Sequence, residues 1–397
     1  MASFQLLIEI FRFYYFLTLF LLVKRKLPAT AEQIRAWSFA TIIHLWNKPC
    51  RIEGDTFSQY LVRSGVNLPK FLLRNEVLIL IFIYLWPLLA LLIVWKHKKQ
   101  RIKQWLFAIK RPDLYMVFPQ MRFDEISITQ RRCDMFLAIF NAWDFYKNHC
   151  LEYEIENKYI LEQRACNADI PTVPSLSLQE AKNLQNKSDR PSLFFVKNPK
   201  EDMGLGIYGI HSIESLERNF SDKNILIQPV IANHTEILPL LPKDAPLCTL
   251  RLQTTMLHGE PICHIAYFRV GASKSIVDNL SRGGTLVEVD IKTGLMLKGV
   301  EYQSLQGKMP VNDSQIIFQN KPLPQFHDAV NLAKKAHKKI APSLISIGWD
   351  IALTDTGPLL IEANVFAGSY EILQMNQSYK ISTDAILEKI NYTRFHL

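Results

Sequence analysis

Near the C-terminus the segment Ser346–Asn364 reads SIGWDIALTDTGPLLIEAN and carries two carboxylates and an amide at regular spacing. Asp355-Thr356-Gly357-Pro358 is turn chemistry, so the segment is expected to be a β-hairpin. Paired symmetrically about Thr356, Asp350 stands opposite Glu362. Side chains alternate along a strand, which puts Asn364 on the face of Glu362 and Asp350. Trp349, Ile351, Leu353, Leu359 and Ile361 are then expected to pack on the core. Hard oxygen ligands of this kind suit Mg²⁺, which takes one or two carboxylates and completes its shell with water and phosphate. Opposed like charges destabilise a hairpin, so a cation should lie between them. The alternative is a solvated polar face on which two acids meet by chance.

Other residues have chemistry that fits a phosphate. Phe194-Phe195-Val196-Lys197 is an apolar strand ending in a lysine, followed by Met203-Gly204-Leu205-Gly206-Ile207-Tyr208-Gly209. Backbone amides at such glycines can cradle phosphate oxygens, and the lysine supplies a point charge. No GK[ST] follows, so this is not a Walker A loop; a plain hairpin loop is the other reading. Ile225–Val230 is an apolar strand closing on Gln228-Pro229-Val230, a segment able to pair an adenine edge through its backbone. Arg251 and Arg269 each lie mid-strand among apolar neighbours and need an anionic partner, either a phosphate or carboxylate ligand or a structural acid.

Positioning these groups takes a set of elements that the pattern supplies. Helices are expected over Asp134–Asn148, Tyr159–Asn167, Ser177–Asn186 and Phe326–Ile340, the last with Ala329, Val330, Ala333, Ala336 and Ile340 on one face. Strands are expected over Leu193–Lys197, Ile225–Val230, Cys248–Met256, Ile262–Val270 and Leu286–Asp290. The prolines of Ile170-Pro171-Thr172-Val173-Pro174 mark an extended connection. Strands mixed with a few helices imply an α/β (α+β) catalytic unit.

The first 111 residues differ in kind. They hold 17 basic against 5 acidic residues, whereas the rest of the chain holds 29 against 32. A nucleic-acid enzyme carries its basic excess on the catalytic body, so nucleic acid is not an expected partner. Here the excess flanks apolar runs, which fits anionic lipid head groups. Val77–Trp95 is 19 residues without a charge, near the length that spans a bilayer. Phe4–Val23 is also apolar, but Glu9 and Arg12 interrupt it; it either spans or lies in the interface, and it lacks the features of a cleaved signal peptide. Basic residues lie on both sides of Val77–Trp95. Pro87 at its middle permits a break, so the run is expected to dip in and return; two ordinary spans are the alternative. The six cysteines form no CxxC or zinc spacing and read as reduced thiols in a reducing compartment.

The order of the motifs is more specific than any one of them. Asn157-Lys158 is followed by Ile-Pro-Thr-Val-Pro, Val-Lys197-Asn-Pro with its glycine loop, Gln228-Pro-Val and Thr249-Leu-Arg251. Then come Val277-Asp278-Asn279 with Gly283-Gly284, Gly-Trp-Asp350 and Ile-Glu362-Ala-Asn364. This series resembles the ATP-grasp superfamily, and within it the sugar-transfer-associated ATP-grasp family related to α-L-glutamate ligases, over roughly 157–373. The resemblance implies two α+β lobes holding ATP between them. It implies Lys197 and Lys158 on the phosphates, Gly204 and Gly206 in the loop closing over them, and Gln228 and Val230 at adenine. Arg251 would hold the γ-phosphate or acyl phosphate, and Asp350, Glu362 and Asn364 would bind Mg²⁺. Relatives often carry Glu at the Gln228 position, and the loop here is poorer in small residues than is usual.

The function implied is an ATP-dependent carboxylate–amine ligase working through an acyl phosphate, with ATP and Mg²⁺ as cofactors. Its carboxylate substrate and amine acceptor would be sugar-linked, in polysaccharide or glycoconjugate biosynthesis. The expected domains are a membrane-associated helical region over 1–111, a helical linker with the N-terminal part of the catalytic unit over 112–190, and an ATP-grasp catalytic domain over 191–397. The expected location is the cytoplasmic face of a membrane, the inner membrane in a bacterium. A phosphotransferase that stops at phosphorylation, and a non-catalytic membrane-anchored binding module, are the alternatives.

Overall fold

In the computed structural model, the described residues are 14–19, 22, 85, 151–186, 194–198, 207–220, 225–278, 284–301, 318–365, 385 and 388. The chain divides into two compact units, one of Cys150–Ala367 and one of Met1–His149 with Gly368–Leu397. In the second of these, 14–19 is helical. Val77–Trp95 apart from Leu85, the expected helix Asp134–Asn148 and most of Phe4–Val23 lie outside the described residues. Among the described residues no helix is long and apolar enough to cross a membrane.

The unit Cys150–Ala367 is mixed α+β. In chain order it contains α1 (Lys158–Asn167), α2 (Leu178–Asn186), β1 (Phe194–Lys197), β2 (Ile207–His211), α3 (Ile213–Phe220), β3 (Leu226–Pro229), β4 (Thr249–Leu257), β5 (Glu260–Val270), β6 (Thr285–Val289), β7 (Met296–Glu301), α4 (Phe326–Ile340), β8 (Ser346–Thr354) and β9 (Gly357–Asn364). The strands form a three-stranded sheet, β2-β1-β3, and a six-stranded antiparallel sheet, β7-β6-β5-β4-β8-β9. β2, β7 and α3 had no counterpart in the sequence reading. β2 lies where a glycine loop was expected, and Gly209 there adopts φ +99°, a backbone geometry that favours glycine.

The small sheet is two-sided. Phe194 and Val196 of β1 pair with Pro229 and Ile227 of β3, and this face packs on Ala181 of α2 and Leu216 of α3 as a buried cluster. Alternation sends Phe195 and Lys197 to the other face, where Gln228 and Leu226 are their cross-strand partners. Burying the apolar face therefore fixes which way Lys197 points.

In the large sheet α4 covers the face bearing Trp349. Trp349 is fully buried, and its Nε1 donates to Thr254 Oγ1 at 2.7 Å. Thr254 Oγ1 also lies 2.8 Å from His337 Nδ1, and His337 Nε2 lies 2.9 Å from the Leu344 carbonyl. Nε2–H donates to the carbonyl, which leaves Nδ1 to accept from the threonine, so the ring is neutral. Burial pushes its pKa down from 6.5 to about 4. The unfolded chain therefore binds a proton that the folded chain refuses between those values. Stability held above pH 6.5 is lost as pH falls toward 4, by an amount on the order of 3 kcal/mol. In urea titrations His337→Gln, which keeps polar groups in the cavity, is expected to flatten the acid limb of the stability profile; an unchanged slope would refute this.

The hairpin β8–β9 departs from simple symmetry. Thr354 pairs with Gly357 around the two-residue turn Asp355-Thr356, and the register then shifts between Asp350 and Ile351. A ladder without that shift would set Asp350 against Ile361. One extra residue in β9 restores Asp350 opposite Glu362. The same bulge corrects the expected core face: Leu360 and Ala363 are buried, whereas Leu359 and Ile361 are only half-buried.

A short strap joins the two sheets. Leu360 N–H donates to the Pro171 carbonyl at 2.9 Å, and Thr172 Oγ1 donates to the Leu360 carbonyl at 2.8 Å. Further along, Leu176 N–H donates to the Ile227 carbonyl of β3 at 2.8 Å. The proline-bearing connection expected at Ile170–Pro174 thus covers one edge of each sheet and ties β9 to β3.

Candidate active site

The face of the large sheet opposite α4 carries a lateral row of cross-strand partners. Glu362 pairs with Asp350, Asp350 with Arg251, Arg251 with Tyr267 and Tyr267 with Glu288. Partners in an antiparallel ladder project to the same side. A peptide-level decision about register therefore gathers residues from five strands on one surface, opposite α4.

Lysines from two other segments meet the Glu362 end of this row. Lys158 opens α1 behind Asn157, whose side chain caps the helix by accepting from Tyr159 N–H. Its Nζ lies 3.4 Å from Glu362 Oε1, and Lys158 is 7% exposed. Lys197, at the end of β1, is 8% exposed and sits over the Phe195 ring, 5.8 Å from its centroid. Burial pushes the Lys197 pKa down to about 8; Glu362 opposes this, Lys158 adds to it, and Asp350 and Glu162 oppose it. Lys197 is thus close enough to feel the charges of the β8–β9 hairpin and of Lys158. Glu162 gave no sign in the sequence: it is one acid within a helix of low amphipathicity, and only the fold brings it near the lysine.

The arginines have found acids. Arg251 grips Asp350 with two groups, Nε on Oδ1 and Nη2 on Oδ2, the latter at 3.0 Å. Arg269 Nη1 lies 3.2 Å from Asp350 Oδ2, and its Nη2 donates to Asp278 Oδ1 at 2.7 Å. Asp278 also accepts from Thr249 N–H at 2.9 Å. Burial by itself would raise the Asp350 pKa, but the charges of Arg251 and Arg269 overcome it and hold the carboxyl below its usual value. Asn364 borders Asp350, and its side-chain amide helps the arginines to hold that carboxyl low. Asp278 belonged to the Val277-Asp278-Asn279 motif, but its pairing with Arg269 was not visible from spacing.

At the adenine candidate, Gln228 Nε2 donates to the Val173 carbonyl at 3.1 Å, and Val230 is 43% exposed. Gly204 and Gly206 lie outside the described residues. The residues present fit a Mg²⁺ ion in part. Glu362 is 23% exposed with a lysine contact at 3.4 Å, and Asn364, two residues along β9 on the same face, offers an amide oxygen. Asp350 is 2% exposed and enclosed by guanidinium groups.

A small three-stranded sheet and a larger antiparallel sheet thus carry the candidate site, with a buried lysine of the first near the β8–β9 carboxylates of the second. Residues 211–388 match the family model described as sugar-transfer associated ATP-grasp. No curated protein matches the sequence. Among solved structures, D-alanyl-alanine synthetase A from Vibrio cholerae O1 biovar eltor is similar with a TM-score of 0.36 and 14% identity, over 60% of this chain and 65% of that one. The RimK domain ATP-grasp protein from Sphaerobacter thermophilus gives 0.35 and 11%, over 63% and 75%. D-cycloserine synthetase DcsG gives 0.37 and 11%, over 64% and 79%. The chain thus matches just under two thirds of the Vibrio protein's length, and the likeness is distant in each case.

Proposed function

We propose that the protein is a Mg-ATP-dependent carboxylate–amine ligase. The observation that carries this reading is the convergence of two buried lysines, from the start of α1 and the end of β1, on the Glu362 end of the β8–β9 hairpin. Burying two ammonium groups together is costly unless anions offset it, so a site that gathers them suits an anionic ligand. The family match over 211–388 supports the same reading.

In this proposal Lys197 and Lys158 hold the phosphates of ATP, with Gly204 and Gly206 closing over them. Gln228 and Val230 lie at adenine; because Gln228 Nε2 is committed to Val173, its carbonyl oxygen is the group that remains for an exocyclic amine. Glu362 and Asn364, with Asp350 at their side, hold Mg²⁺, which when bound neutralises charge on the phosphates. The substrate carboxylate oxygen attacks the γ-phosphorus as the bond to ADP breaks. An amine nitrogen then attacks the acyl carbon, phosphate leaves with the C–O electron pair, and the amine proton passes to solvent. Protein groups mainly position reactants and stabilise spreading charge.

The substrates are proposed to be sugar-linked, in polysaccharide or glycoconjugate assembly. The region 1–111 would attach the catalytic domain 191–397, through 112–190, to the cytoplasmic face of a membrane. Support for this comes from the apolar run Val77–Trp95 and the basic residues around it. The test uses full-length protein in detergent with ATP and pairs of sugar acids and amino acids. ADP release with an amide product is expected, and Glu362→Gln should abolish it. ADP with a phosphorylated product would replace the ligase by a phosphotransferase, and no nucleotide binding at all would end the proposal. In cells the protein should stay in the membrane pellet after a high-salt wash; release by salt would refute insertion.

A further inference from the structure

We infer that Asp350 is not a metal ligand but a positioning residue, which fixes Arg251 and Arg269 as one anion receptor and leaves the metal to Glu362 and Asn364. This rests on the ligase reading above. A carboxylate offers about four lone-pair sites. Arg251 Nε and Nη2 take two of those on Asp350, and Arg269 Nη1 approaches a third at 3.2 Å. The carboxylate is 2% exposed. A divalent cation here would displace guanidinium contacts and sit a few ångströms from two fixed positive charges in a poorly screened interior.

Glu362 lacks those constraints. It is more exposed, and its contact with Lys158 at 3.4 Å is looser than the bidentate grip on Asp350. Asn364 lies two residues along the same strand on the same face, so its side-chain oxygen can project beside the Glu362 carboxylate. The two therefore form an adjacent oxygen pair that a cation could share with phosphate and water. Arg269 is in turn held by Asp278, and Asp278 by the Thr249 backbone. The series Thr249–Asp278–Arg269–Asp350–Arg251 crosses β4, β5 and β8. It presets both guanidinium groups for an anion delivered to the face opposite α4, such as a γ-phosphoryl group, without reorganisation when charge moves.

The test uses full-length protein, Mn²⁺ as the probe ion read by electron paramagnetic resonance, and ADP or the non-hydrolysable ATP analogue AMP-PNP. With ADP present, Glu362→Gln is expected to weaken Mn²⁺ binding at least about tenfold, and Asp350→Asn to change it less than about threefold. Asp350→Asn should weaken AMP-PNP about tenfold while ADP affinity holds, because only the third phosphate meets the guanidinium pair. Loss of Mn²⁺ in Asp350→Asn equal to that in Glu362→Gln overturns the assignment, as does an unchanged ratio of AMP-PNP to ADP affinity. If Asp350→Asn does not fold, the double variant Arg251→Met with Asp350→Leu removes the pair without stranding a charge. Retained Mn²⁺ binding there supports the assignment, and its loss refutes it. Wild-type protein that binds no Mn²⁺ with nucleotide removes the ligase reading and this assignment with it, whereas wild-type binding that Asp350→Asn destroys removes this assignment alone.

Discussion

Lys197→Met is expected to melt at a higher temperature than the wild type at pH 7 and to lose ATP turnover. Lys197 is buried, and burial, only partly opposed by Glu362, lowers its pKa from 10.5 to about 8. At pH 7 it is therefore charged in both the folded and unfolded chain, and folding bears the cost of desolvating that charge. The shift corresponds to a penalty on the order of 3 kcal/mol. The sign follows from proton binding: between pH 8 and 10.5 the unfolded chain holds more protons, so wild-type stability rises with pH across that window. Methionine fills similar space without a charge and removes the penalty, worth roughly 2–4 °C for each kcal/mol in a domain of this size. The same charge is what the proposal places on the ATP phosphates. Losing a charge-assisted contact used in the transition state is expected to lower kcat/KM by about a hundredfold or more. Wild-type turnover should also decline as pH rises through about 8 in the free enzyme, and the residual rate of the variant should not. Calorimetry and ADP release on the two proteins across pH 6–9 provide the check. A variant that is less stable at pH 7, or equally active, would refute the account.

Arg269→Met is expected to produce the largest loss of stability. Arg269 stands between two buried acids, with Nη2 2.7 Å from Asp278 and Nη1 3.2 Å from Asp350. Removing one partner of a buried ion pair leaves an uncompensated charge and costs about 3–5 kcal/mol. Arg251 still holds Asp350, so the effect falls mainly through the Asp278 side, where Thr249 N–H at 2.9 Å is a weaker substitute. Urea titrations at pH 7.5 would measure the loss. A difference from wild type below about 1 kcal/mol at pH 7.5 would mean that Arg269 is an exposed, dispensable pair.

Much of this architecture could be read along the chain, where the signal is local. The helix Phe326–Ile340 follows from its apolar spacing and is found with those bounds. The hairpin Ser346–Asn364 follows from its turn residues, and Asp350 does face Glu362. That pairing rests on a two-residue turn and a bulge rather than on symmetry about Thr356, so the partner was right and the register around it was not. The bulge is decided by packing: it turns Leu360 and Ala363 inward, where the strap at Pro171–Thr172 and the core receive them.

The residue types themselves settled that this chain has a mixed α+β unit, a strand-end lysine and an oxygen-bearing hairpin, because propensity and alternation act over a few neighbours. Which charges meet was left to the tertiary structure. Arg251 and Asp350 are 99 residues apart in sequence and become cross-strand partners only when β4 lies between β5 and β8. Lys158 and Glu362 touch only because a strap ties β9 to the small sheet beside α1. The physical reason is that an ion pair in a low-dielectric interior depends on a few ångströms of separation and on the exclusion of water, and neither quantity is defined until distant strands have chosen their neighbours.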